Sequence, residues 1–244
     1  MDYIKNKIVW VTGGTKGIGA ALSQVLLEQG AVVIASSTKP LSYYINNNYF
    51  DSQFAQNHNF YYYQCDVSDK TQVQQIYNRI YEKFNSVDIL INNAGVGLFK
   101  AFVDTTSEEV ERLFKVNING PIYCVQSALP NMLEKQEGTI VNISSVSAFE
   151  NFANCSIYNM SKSALLSLGR SLRNEYRKVG IRVIDVLPGA TCTDIWDAQS
   201  QIDFKDKLMQ AYDVAMTIVK NIDSSLQGNL LVEEIVIRPL QGNI

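Results

Sequence analysis

Histidine is almost missing: His58 is the single one in 244 residues, and it sits in an Asn-rich stretch with no partner nearby in sequence. A zinc site would have to come from four scattered cysteines, Cys65, Cys124, Cys155 and Cys192, none of them in a Cys-x-x-Cys pair. No metal is therefore expected, and the thiols read as small buried hydrophobes in a reducing compartment. No apolar run reaches membrane-spanning length. An excess of one charge is lacking too: 21 Lys and Arg against 24 Asp and Glu leave a net charge of −3. The basic residues are scattered rather than striped, so the chain has no electrostatic footprint for nucleic acid. The opening segment Met1 to Lys7 meets its first apolar run at Ile8, which leaves no room for a signal peptide and predicts a cytoplasmic protein.

What is present is an alternation of short β-branched runs and helical patterns. Strands are predicted at residues 8–11, 31–35, 60–64, 87–91, 138–144, 181–187 and 234–237. Helices are predicted from Gly19 to Gln29, over 69–84, from a start near Ser107 whose Ser-Glu-Glu opening suits a cap, and over 119–135 and 158–178. Residues 38–59, rich in Asn and Tyr, read as a loop with some short helix. Strands apolar on both faces and separated by helices predict a Rossmann-like, doubly wound α/β fold with a parallel sheet covered on both sides. With no linker, low-complexity tract or repeat, one domain spanning 1–244 fits.

Between the first strand and its helix lies Thr12-Gly13-x-x-x-Gly17-Ile18-Gly19. Backbone N–H groups and a helix N-terminus receive a pyrophosphate at such a place, and glycines let the backbone approach it. The second strand ends Ala35-Ser36-Ser37-Thr38-Lys39, with no carboxylate to repel a 2′-phosphate. Ser37 and Thr38 offer hydroxyl donors there, and Lys16 and Lys39 bring positive charge, so NADP(H) is the predicted cofactor. Further on, Tyr158-Asn-Met-Ser-Lys162 opens a helix and places Tyr and Lys one turn apart on one face. An ammonium beside the phenol favours the phenolate and brings it towards the working pH of a general acid/base.

Taken together and in this order, these segments resemble the short-chain dehydrogenase/reductase family along almost the whole chain. Asp66 in Cys65-Asp66-Val67 matches the residue placed at the adenine. Asn92-Asn93-Ala94-Gly95 matches the segment lining the cofactor, and Asn117 matches the family's catalytic asparagine. Ser145, thirteen residues before Tyr158, matches the catalytic serine, and Pro188-Gly189, followed by Thr193, matches the turn at the nicotinamide. The resemblance implies a cofactor held by Gly13, Thr15, Lys16, Gly17, Ile18, Gly19, Ser37, Thr38, Asp66, Val67, Asn93, Ala94, Gly95, Tyr158, Lys162, Pro188, Gly189, Thr191 and Thr193. It also implies hydride transfer to a carbonyl carbon, with Ser145 bonding the carbonyl oxygen and Tyr158 protonating it. Lys162 would lower the tyrosine pKa and hold the nicotinamide ribose, and Asn117 would anchor a relaying water.

Substrate pockets in such folds lie beyond the carboxyl ends of the strands. Val96, Phe99, Phe149, Phe152, Cys155 and the segment 190–212, with Ile195, Trp196, Ile202 and Phe204, predict a mainly apolar wall and a small carbonyl or alcohol substrate. A 3-oxoacyl-carrier-protein reductase is the alternative: Leu133 to Gly138 is nearly neutral where such enzymes carry arginines, yet Arg173, Arg177 and Lys178 remain. A redox-inactive NADP(H) sensor is a third reading, set against the presence of Asn117, Ser145, Tyr158 and Lys162. Apolar residues on more than one helix face (Ile122, Val125, Leu129, Leu165, Leu166, Leu168), together with the resemblance, predict a homodimer or homotetramer.

Overall fold

Val, Ile and Leu dominate six of seven short runs and Phe and Tyr the other, at 60–64, and each becomes a parallel strand. In the computed structural model, which describes residues 1–196, 198–204 and 206–242, the elements are β1 (Ile8–Thr12), α1 (Gly17–Glu28), β2 (Val32–Ser37), α2 (Leu41–Asn46), α3 (Ser52–Ala55) and β3 (Phe60–Gln64). There follow α4 (Lys70–Phe84), β4 (Ile89–Asn92), α5 (Ser107–Phe114), α6 (Gly120–Lys135), β5 (Gly138–Ile143) and α7 (Ser156–Tyr176). The chain ends through β6 (Ile181–Pro188), α8 (Ala198–Asp203), α9 (Ala211–Ser225) and β7 (Glu234–Ile237). The strand order is β3-β2-β1-β4-β5-β6-β7. Chain order reverses between β1 and β4, and in doubly wound sheets ligands enter the crevice beyond the strand ends at such a switch point.

Side chains alternate across each strand. On one face Val9, Val11, Ile89 and Ile91 meet α1 and α9; on the other Trp10, Leu90 and Ile140 meet α4 and α6. Helix ends follow local chemistry. Asp69 accepts from the N–H groups of Thr71 and Gln72, at 2.8 and 3.2 Å, to open α4. The cap of α5 is Thr106, one residue before the predicted Ser107, and it forms a capping box with Glu109. From Ser107 to Lys135 the helix is continuous, with a π-helical turn at Lys115–Asn119 joining α5 to α6.

Two features depart from the sequence reading. Helix α9 was not expected, although Val214, Ile218 and Ile222 recur every fourth residue and all are buried. Of the six residues read as a spare apolar face, Ile122 and Leu168 stay partly exposed, but Val125, Leu129, Leu165 and Leu166 are buried within this one chain. The helices touch α4 and the short turn Val146–Ala148 as well as the sheet, so these residues are already covered.

The sheet also carries a buried polar chain. Asn92 Nδ2 donates to Asn142 Oδ1 (3.0 Å), Asn142 Nδ2 donates to Asp185 Oδ1 (2.9 Å), and Arg173 Nη2 donates to Asp185 Oδ2 (2.5 Å). Arg173 Nε and Nη2 also reach the carbonyls of Val183 and Glu233. Gly169 makes the space, since a Cβ there would overlap the Asp185 carboxylate. Burial raises the Asp185 pKa to about 6, opposed by the hydrogen bond from Asn142 and the charge of Arg173. Removing one partner of a buried pair leaves the other charge uncompensated, so Arg173→Met is expected to lose about 3–5 kcal/mol. Urea unfolding would measure it, and a loss below about 1 kcal/mol would contradict this account.

Candidate active site

The first wall is the turn after β1. Gly13 and Gly17 have φ of +63° and +54°, the left-handed region that suits glycine. A Cβ on Gly13 would lie 3.0 Å from Ala94 Cα, and one on Gly19 would overlap the Gly13 carbonyl and Asn93 Nδ2. Thr12 and Asn93 lock this approach. Thr12 Oγ1 accepts from the N–H groups of Asn93 and Ala94 (3.0 and 3.1 Å), while Asn93 Nδ2 donates to the carbonyls of Thr12 and Gly13 (2.9 and 3.1 Å). Thr12 carried no signal of this role in the sequence, and Asn93 had been read only as cofactor-lining.

A cleft of about 1380 Å³ runs over this turn from the end of β2 to Tyr158. Of the predicted cofactor residues, Gly13, Lys16, Gly17, Ile18, Ser37, Thr38, Asp66, Val67, Asn93, Ala94, Gly95, Tyr158, Lys162, Pro188, Gly189, Thr191 and Thr193 line it. Thr15 and Gly19 do not. Thr15 is fully buried behind the wall and donates to Ser37 Oγ at 2.8 Å. Ser37 in turn donates to the carbonyl of Ser36 at 2.7 Å, so its proton is committed and the exposed Thr38 is the better placed donor. Lys39 does not line the cleft: the basic side chains that do, among the described residues, are Lys16, Arg112, Lys115 and Lys162.

At the other end stand Ser145, Tyr158 and Lys162, all buried, at the start of α7 and the end of β5. Ser145 Oγ accepts from the N–H of Ser147 at 3.1 Å, and its hydroxyl lies near enough to Tyr158 to favour the phenolate. Lys162 Nζ donates to the carbonyl of Ile143 at 2.9 Å, and its own carbonyl accepts from Ser144 Oγ. Asn117 lies in the π-helical turn, behind the cleft wall. Its amide is fully engaged: Oδ1 accepts from Val96 N–H, and Nδ2 donates to the Val96 carbonyl and to Ser161 Oγ. Ser161, unremarked in the sequence, passes that tie on to the Tyr158 carbonyl. A Cβ on Gly95 would sit 3.5 Å from Asn117 Oδ1 and 3.6 Å from Lys162 Nζ, so the glycine leaves open the space that both groups face.

The expected depression of the tyrosine pKa is not found in the protein by itself. Burial pushes Tyr158 up to about 12; the nearby Ser145 hydroxyl opposes this and Cys155 adds to it. Burial also pulls Lys162 down to about 8. Its ammonium is 5.7 Å from the tyrosine ring centre, and desolvation of each group outweighs the attraction between them.

Over Tyr158 lies an aromatic wall. The Phe99 ring meets it edge-on, with centroids 5.3 Å apart, and stacks on Trp196 at 5.8 Å and 11°. Trp196 is fixed by its indole N–H to the Thr191 carbonyl, 3.1 Å. Val96, Phe152, Cys155 and Ile195 complete this side, whereas the predicted Phe149, Ile202 and Phe204 do not reach the cleft. Phe149 instead packs under the Arg238 guanidinium. Asp197 and Lys205 of the predicted pocket segment lie outside the described residues.

The family model described as short chain dehydrogenase matches residues 7–203. The chain belongs to that family. An uncharacterised oxidoreductase of Staphylococcus aureus is 33% identical over 241 residues, covering 98% of this chain and all of the relative. One from Staphylococcus saprophyticus is 30% identical with the same coverage. Among solved structures, ElxO with NADP bound is 29% identical with a TM-score of 0.83, covering 95% of this chain and 97% of its own. A short-chain dehydrogenase from Streptomyces avermitilis is 25% identical with a TM-score of 0.81, covering 95% and 87%. The protein is thus an oxidoreductase of the short-chain dehydrogenase family.

Burying Lys162 has a measurable consequence. Its folded pKa of about 8 lies below the ordinary 10.5. Below pH 8 both states hold the proton and the cost of burial is full. Between about 8 and 10.5 the unfolded chain binds more protons than the native one, so stability rises with pH. Relative to Lys162→Met, the parent protein should therefore gain up to about 3 kcal/mol across that window. Denaturant titrations of both proteins at pH 7.5 and 10.5 would show it, and a constant difference would contradict it.

Proposed function

We propose that the protein is an NADP(H)-dependent carbonyl reductase or alcohol dehydrogenase for a small, largely apolar substrate, with Tyr158 as general acid/base. The observation that carries this is the buried pair Ser145 and Tyr158 under the Phe99–Trp196 wall, in the same cleft as a glycine turn. The residues fit a dinucleotide. Left-handed Gly13 and Gly17 bare the backbone at the N-terminus of α1, where a pyrophosphate is favoured. No carboxylate stands at the end of β2, and the NADP- and NADPH-bound ElxO structures, 29% and 28% identical, support the phosphorylated cofactor.

When bound, the nicotinamide supplies or accepts the hydride. The chain's own residues do the rest. With its pKa raised, Tyr158 keeps its proton at Oη across the physiological range and serves as the acid for a carbonyl oxygen. Ser145 hydrogen-bonds the same oxygen. Lys162, tied to Ile143, offers its remaining donors to the cofactor ribose, and Asn117 holds the adjoining backbone at Val96 in place. A carrier-protein substrate is less well supported, because Arg173 is buried on Asp185 and Arg177 pairs with Glu233 at 2.6 Å, which removes cations that an acidic carrier would need.

Tyr158→Phe should preserve the fold and NADP⁺ affinity while lowering turnover by about 10²–10⁴-fold; near-normal turnover would remove Tyr158 from the chemistry. In a screen of ketones, diketones, aldehydes and 3-oxoacyl thioesters, kcat/KM should favour NADPH over NADH by at least about tenfold, as one or two charge-assisted hydrogen bonds to the 2′-phosphate allow. Ser37→Asp should abolish or invert that preference. Equal use of NADH by the parent protein would overturn the cofactor assignment.

A further inference from the structure

The Tyr- and Asn-rich segment 38–59 and the loop after Thr193 meet at one side chain. Lys16 precedes Gly17 in the phosphate-binding turn, and its ammonium rests 4.3 Å from the ring centre of Tyr49 and 3.4 Å from Asp194 Oδ2. Tyr49 is held by neighbouring rings, Tyr43 and Tyr44, at 6.3 and 6.5 Å. On the opposite side, Thr193 lies directly on the turn, since a Cβ at Gly17 would come within 3.1 Å of its Cγ2. Lys16 is therefore gripped from both banks of the cleft. Among the described residues, the basic side chains lining the cleft are Lys162 at the catalytic end, Arg112 and Lys115 at and just after the end of α5, and Lys16, which follows the Thr15 that bonds Ser37. That cation already has an anionic partner.

We infer that Asp194 sets the strength of cofactor discrimination by competing with the 2′-phosphate for Lys16, while Tyr49 keeps the ammonium in reach of both. The inference rests on the NADP(H) reading above. The pair is partly exposed, with side-chain exposures of 41% and 37%, so solvent screens it and the penalty it imposes is modest. A cation–π contact is indifferent to which anion the lysine faces, so Tyr49 positions the ammonium without favouring either partner. Asp194 is also two residues from Trp196, whose ring forms the substrate wall.

The test is calorimetric binding of NADP⁺ and of NAD⁺ to the parent protein, Asp194→Asn, Lys16→Ala and the double variant. Asp194→Asn should bind NADP⁺ about two- to fivefold more tightly, the range expected for removing an exposed ion pair, with NAD⁺ unchanged. In the Lys16→Ala background the same substitution should have no effect on NADP⁺. Equal tightening for both nucleotides, or tightening that persists without Lys16, would make Asp194 a general repulsive charge and overturn the competition; no change in NADP⁺ affinity would overturn it as well. Failure of the cofactor reading looks different, since the parent protein itself would then bind NAD⁺ as tightly as NADP⁺.

Discussion

The side-chain amide of Asn93 donates to two successive carbonyls in the turn after β1, and the rest of the cleft is arranged around that contact. It holds the β1 turn and the β4 loop so close that a side chain at Gly19 would collide with both partners. Because β1 and β4 flank the point where strand order reverses, drawing their ends together sets the floor of the crevice. The chain leaving Asn93 then passes Gly95, and the lack of a Cβ there keeps Lys162 and Asn117 facing a common space. A phosphate-binding turn and a proton-handling centre thus share one packing constraint.

The buried charges Asp185, on β6, and Lys162, on α7, are treated differently. Asp185 has Asn142 and Arg173 as direct partners, and the guanidinium is itself tied to carbonyls, so the pair is enclosed and satisfied. Lys162 has one carbonyl and no carboxylate among its described contacts. The first arrangement stabilises or fixes structure; the second leaves donors free at the expense of stability, the usual pattern where a site must bind something. Tyr158 follows the same logic, held in a dry wall that favours its protonated form.

Much of this was legible in the residues. Six β-branched runs, an aromatic one and a glycine turn announce a parallel sheet and its anion site because period and composition act locally. Ser145, Tyr158 and Lys162 are recognisable by interval, but the bonds that seat them, to Ser147, Ser161 and Ile143, belong to tertiary structure. The pKa directions could not be read, since the sequence displays the lysine beside the tyrosine and hides the burial of both. Helix α9 was readable from Val214, Ile218 and Ile222 and was passed over. Leu165 and Val125 misled in the other direction: a helix that packs on a sheet and a neighbouring helix buries more than one stripe, and nothing local tells such burial from an interface.

The π-helical turn at Lys115–Asn119 is written in ordinary residues, with an exposed lysine at its head. It behaves as a phase shifter within one continuous helix. The half before it packs Leu113 beside Ile157 and Tyr158, and the half after it packs Cys124, Val125 and Met132 against the sheet. Each residue of an α-helix advances about 100°. A π-turn takes in about one residue more than an α-turn, so both halves keep their buried faces while Asn117 is turned towards Val96 and Ser161. From its exposed Lys115 the turn looks like ordinary surface helix, yet its middle residue, the buried Asn117, ties the cleft wall at Val96 to α7.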